Sequence, residues 1–114
     1  MTGTFRDDLI IASDAGNTIS GRAGADCIIG GDSDDVINGN LGHDEIFGLD
    51  GSDILAGGFG PDSIYGGEGS DIIIGSIGAD FLDGGEGSDI IVGGIGVDTC
   101  VSDGEDIVTI NCES

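Results

Sequence analysis

The sequence predicts an all-β fold, a parallel solenoid with 18 residues per coil and two short-stranded parallel sheets, and three observations predict it. The chain repeats every nine residues, without insertion or deletion, from residue 3 to residue 101. An apolar residue recurs at one fixed place in each repeat. A second place alternates between apolar and acidic from one repeat to the next. A fixed period of this kind marks a repeat architecture, in which each unit buries its face only against its neighbours.

Laid out in nines from Gly3, the chain gives eleven frames, of which GGFGPDSIY and GGEGSDIII are two in succession. Slots one, two and four favour glycine, which accepts the positive φ that a tight loop needs. Slots seven to nine are rich in Ile, Val, Phe and Tyr. They are expected to form a three-residue strand whose middle side chain faces opposite to its flanks. That middle slot, the eighth, is Ile or Leu in ten frames and Cys100 in the last.

One short strand cannot cover its own side chain, so successive frames must face each other, one in each of two sheets. The expected core is a ladder of Ile10, Ile28, Ile46, Ile64, Leu82 and Cys100 facing one of Ile19, Ile37, Leu55, Ile73 and Ile91. Slot three supports the doubled period. It holds Phe5, Ala23, Leu41, Phe59, Ile77 and Ile95 in odd frames, and Asp14, Asp32, Asp50, Glu68 and Glu86 in even ones. The alternation reads as an apolar edge and an acidic edge of the solenoid.

Charge narrows the function. Among 114 residues, 23 are acidic and two basic, a formal net charge of -21. Nucleic acid and anionic membrane are repelled by such a surface. The regular isoleucines, within a hydrophobic content of 38%, argue against a disordered acidic tail. A charged chain that still has a core points to a cation. No apolar run reaches the roughly 18 residues of a membrane span, and MTGTFRDDL lacks the basic and apolar regions of a signal peptide.

Slot six supplies the candidate ligands. It is Asp8, Asp26, Asp35, Asp44, Asp53, Asp62, Asp71, Asp80, Asp89 and Asp98, with Asn17 the one exception. A lone aspartate here would be a turn residue capping its own backbone. A ladder of them, beside glycine loops able to turn carbonyls inward, offers the oxygen donors that Ca2+ takes six to eight at a time.

The pattern resembles the GGxGxDxUx repeat of RTX proteins over residues 3–101. The resemblance implies a right-handed parallel β-roll with Ca2+-binding loops between its sheets. Each ion would lie between a loop and the loop two frames on, held by slot-six aspartates and loop carbonyls of both. Ladders of six and five loops leave room for up to about nine ions, whose charge would nearly offset that of the chain. It also implies a secreted, extracellular module that folds on calcium, and a chain expanded without it. The first two frames depart from the pattern, with Arg6 at slot four, then Ala12, Ser13, Ala15 and Asn17 in place of three glycines and the aspartate.

Residues 1–101 read as the roll and 102–114 as a degenerate capping segment, in which Asp106 and Val108 become ligand and core residue if one slot is deleted. A Cys100–Cys112 disulfide closing this end is expected, against the alternative of two reduced thiols. Cys27 falls on an outward slot as a solitary thiol. His43, the single histidine, has none of the partners that hydrolytic or zinc sites require, so no enzyme is expected. Two outward apolar stripes are left: Val36, Ile54, Ile72 and Ile90 on one sheet, and Ile11, Ile29, Phe47 and Tyr65 on the other. They reflect either strand propensity or a docking face for a second copy, a neighbouring domain or a surface ligand. The second reading makes the chain an adhesin-like or self-associating module on a calcium-built scaffold.

Overall fold

The computed structural model describes residues 1–106 and 108–112, and the backbone alone of residues 108–110. Among the described residues twelve strands follow one another: β1 (Leu9–Ile11), β2 (Thr18–Ser20), β3 (Cys27–Gly31), β4 (Val36–Leu41), β5 (Glu45–Asp50), β6 (Ile54–Phe59), β7 (Ser63–Glu68), β8 (Ile72–Ile77), β9 (Phe81–Glu86), β10 (Ile90–Ile95), β11 (Thr99–Val101) and β12 (Val108–Ile110). Odd strands stack in one six-stranded sheet and even strands in another. Every pairing is parallel with an offset of 18 residues, as in Ile46 with Ile64 and Leu55 with Ile73. Slot-eight side chains of both sheets fill the space between them. Ile19, Ile28, Ile37, Ile46, Leu55, Ile64, Ile73, Leu82 and Ile91 are buried, with Ile10 and Cys100 partly buried at the ends. The molecule measures 36 × 29 × 13 Å, its thin direction matching two sheets about 10 Å apart.

The strands are longer than the three residues expected. From β4 to β10 each has six, running from slot seven through the two following glycine slots to slot three. The ladder crosses those glycines, pairing Gly58 with Ser76 and Phe59 with Ile77. Only three-residue loops remain, such as 42–44 and 51–53. Slot three therefore ends a strand, so its alternation distinguishes the two sheets. Leu41, Phe59, Ile77 and Ile95 end even strands, and Asp50, Glu68 and Glu86 end odd ones.

The slot-one glycines also differ from expectation. Positive φ falls on slots two and four, as at Gly58 (101°) and Gly60 (111°), and Asn40 and Leu49 adopt it at slot two without being glycine. Slot one is glycine for space. A Cβ on Gly48 would lie 2.5 Å from Asp53 Oδ2 and 2.6 Å from the Gly66 carbonyl oxygen.

At the C-terminal end, β12 adds to β10 with Ile90 opposite Val108 and Ile91 opposite Thr109. The 18-residue register thus persists in β12, where Thr109 rather than Val108 lies opposite the core residue Ile91. The Val108 side chain lies outside the described residues. Cys100 and Cys112 form a disulfide with Cα atoms 5.5 Å apart, and both pack against the core. Among the described residues no helix is long and apolar enough to cross a membrane.

Candidate metal centre

Each central loop consists of a slot-four glycine, one variable residue and the slot-six aspartate. The variable residue faces solvent in the loop of Gly42, His43 and Asp44, while the aspartate turns inward. Parallel stacking then places aspartates above one another on the two edges. The backbone N–H of Asp44 donates to Asp62 Oδ1 at 2.8 Å, and that of Asp62 donates to Asp80 Oδ1 at 2.8 Å. On the other edge Asp53 donates to Asp71 and Asp71 to Asp89 in the same way. Each aspartate therefore gives one oxygen to the coil before it.

The second oxygen has no partner. Asp26, Asp35, Asp44, Asp53, Asp62, Asp71, Asp80, Asp89 and Asp98 are all at most 3% exposed, and Oδ2 of every one is buried without a hydrogen bond. Buried acceptors are ordinarily satisfied, and leaving one unpaired costs about 1 to 3 kcal/mol. The only basic side chains besides the amino terminus, Arg6 and Arg22, are exposed, and Arg22 covers the Phe5 ring at 4.0 Å. The exposed His43 beside Asp44 is a minor lowering influence on that one carboxyl.

Burial is the main cause that raises these carboxyls, and the neighbouring aspartates add to it. Asp62 and Asp71 are pushed up to about 7, and Asp44, Asp53 and Asp89 to about 6. The backbone N–H bonds pull the other way and only partly offset the burial.

Loop carbonyls are the other oxygens available along the stack. A Cβ on Gly60 would fall on the carbonyl oxygen of Gly42, and one on Gly78 on that of Gly60, so these carbonyls aim along the stack from coil to coil. No group of three or more His, Cys, Asp or Glu side chains converges among the described residues. Backbone oxygens are therefore needed beside the carboxylates, and an all-oxygen set suits a hard cation such as Ca2+. The orphaned oxygens and the cradles closed to any Cβ fit such an ion.

The RTX calcium-binding nonapeptide repeat family matches in four copies, over residues 2–35, 29–64, 47–82 and 65–100. The chain belongs to the RTX calcium-binding repeat family. No curated protein and no solved structure matches it.

Two predicted site residues of this RTX roll behave differently from the rest. Asp8 is satisfied by its own frame, its Oδ2 accepting from the Thr4 N–H at 2.6 Å and from the Thr4 hydroxyl at 2.9 Å. Asn17 Nδ2 donates to the Ser13 carbonyl at 3.1 Å and to that of Ala15, the slot-two and slot-four carbonyls of its frame. An amide thus satisfies those two carbonyls within its own frame. Ala12 accompanies it, replacing the slot-one glycine that gives an aspartate its room. Asp106 joins the second ladder, accepting from the Asp89 N–H at 3.1 Å although it comes 17 residues later instead of 18. The slot-one glycines are the part of the site that sequence reading missed. Their near invariance signalled a constraint, which is room for Oδ2.

Proposed function

We propose that this chain is an extracellular, non-enzymatic structural module that folds on binding calcium. Its ligands are the carboxylates of Asp26, Asp35, Asp44, Asp53, Asp62, Asp71, Asp80, Asp89 and Asp98, together with loop carbonyls of adjacent coils. The observation that carries this reading is the set of nine buried Oδ2 atoms without partners in a chain with two basic side chains. Bound calcium supplies the positive charge that such a ladder lacks. The aspartates orient the loops through their Oδ1 bonds, the slot-one glycines leave space for Oδ2, and the variable loop residues stay in solvent.

Asp8 and Asn17 contribute little to ion binding on this reading, because Thr4 and the Ser13 and Ala15 carbonyls already satisfy them. The disulfide is in keeping with an oxidising compartment, where calcium is also abundant. Exhaustive dialysis against calcium, followed by metal analysis of the protein, tests the proposal. Six or more ions per chain are expected on the order of one per interior gap, and fewer than about four would contradict it.

A further inference from the structure

The two broad faces of the roll differ in charge. Strands β2, β4, β6, β8, β10 and β12 contain no Asp, Glu, Lys or Arg at all, in a chain with 23 acidic residues. The odd sheet carries Glu45, Asp50, Glu68, Asp83 and Glu86 within β5, β7 and β9. Its apolar stripe is also partly covered by its own rings, with Phe47 stacked on Tyr65 at 5.0 Å and Phe81 at 5.8 Å from Tyr65. On the even sheet Phe59 is 57% and Ile95 71% exposed, and Val36, Ile54, Ile72 and Ile77 are exposed as well.

We infer that the outer face of the even sheet is the interface of a homodimer, one copy packed face to face on another. The face carries both a groove and a ridge. Small residues, Ala56, Gly58 and Ser76 with Asn38 and Asn40, line a shallow groove flanked by the ridge of Leu41, Phe59 and Ile77. Under a two-fold axis the ridge of each copy enters the groove of the other, as an isologous contact requires. Charge selects a second copy over a basic partner, because a basic partner would seek the acidic face. Two copies joined here bring together strands that carry no carboxylate.

Area is sufficient. The broad side extends over 36 × 29 Å, and a stable dimer needs about 800 Å2 from each partner. The inference rests on the calcium-built roll for its scaffold and for the reduction of its net charge.

Sedimentation velocity of the Cys27→Ser chain in saturating calcium, from about 10 to 500 μM, tests this, with circular dichroism of the same samples reporting the fold. The substitution removes adventitious disulfide dimers while leaving Cys100–Cys112 oxidised. A concentration-dependent dimer is expected. Phe59→Glu combined with Ile77→Glu should weaken it at least about 100-fold, as loss of two central anchors does. The variant should retain the fold, because the same slot holds Glu68 and Glu86 in the other sheet. Should it unfold, Phe59→Ser alone gives the reading, and an unchanged dimer then overturns the inference. A folded chain that stays monomeric at 500 μM overturns it too, as does a dimer that survives the double variant but dissociates in Tyr65→Ser. Absence of β-signal in calcium would instead contradict the calcium reading itself.

Discussion

The Asp62 N–H donates to Asp80 Oδ1 at 2.8 Å, and Oδ2 of both aspartates is left buried without a partner. One oxygen holds the coils in register while the other is free for a ligand.

Asp62→Asn removes one buried carboxylate from the middle of a ladder. It should destabilise the calcium-bound roll by about 2 to 4 kcal/mol, within the range for breaking a buried network. Asp8→Asn should cost less than about 1 kcal/mol, because Thr4 already satisfies Asp8 at the open end. Urea unfolding of both variants in calcium checks the contrast, and equal losses would contradict it.

Gly48→Ala should destabilise the roll by about 1 to 3 kcal/mol or more, since its Cβ would meet Asp53 Oδ2 and the Gly66 carbonyl. Gly104→Ala meets nothing within 4 Å and should be neutral or stabilising by up to about 1 kcal/mol. Thermal unfolding of the pair in calcium decides.

The repeat frame, the two sheets, the buried slot-eight ladder and the aspartate columns were legible in the sequence because each follows from a strict period. Slot-one glycines were misread, since composition does not separate a glycine needed for φ from one needed for room beside Oδ2. Strand length was misread for a related reason: Gly57 and Gly58 look like loop residues, yet their backbones continue the ladder to Phe59. The tail defeated periodicity, because Asp106 is displaced by one residue while β12 keeps the register.

Acid should act in opposite directions on the metal-free chain and on the chain in limiting calcium. Asp62 and Asp71 are raised to about 7 from 3.8, and Asp44, Asp53 and Asp89 to about 6. A raised folded-state value means stability that is fully present below the unfolded value and lost as pH rises through the folded one. In chelator, β-signal should therefore grow on acidification from pH 7 towards pH 4. In limiting calcium the same acidification should raise the calcium midpoint, because protons compete for the carboxylates. Circular dichroism across this range tests both signs.

Cys112→Ser opens the 12-residue span to Cys100 and should cost about 2 to 4 kcal/mol, concentrated in the last coil. Hydrogen exchange should show protection lost first along β11, with the centre of the roll retained at saturating calcium.

Far-ultraviolet circular dichroism of the intact, oxidised chain at neutral pH, first in chelator and then through a calcium titration, tests the central claim most directly. A cooperative gain of β-signal from a largely unstructured start is the predicted result. Full β-signal in chelator, or none in calcium, would contradict it.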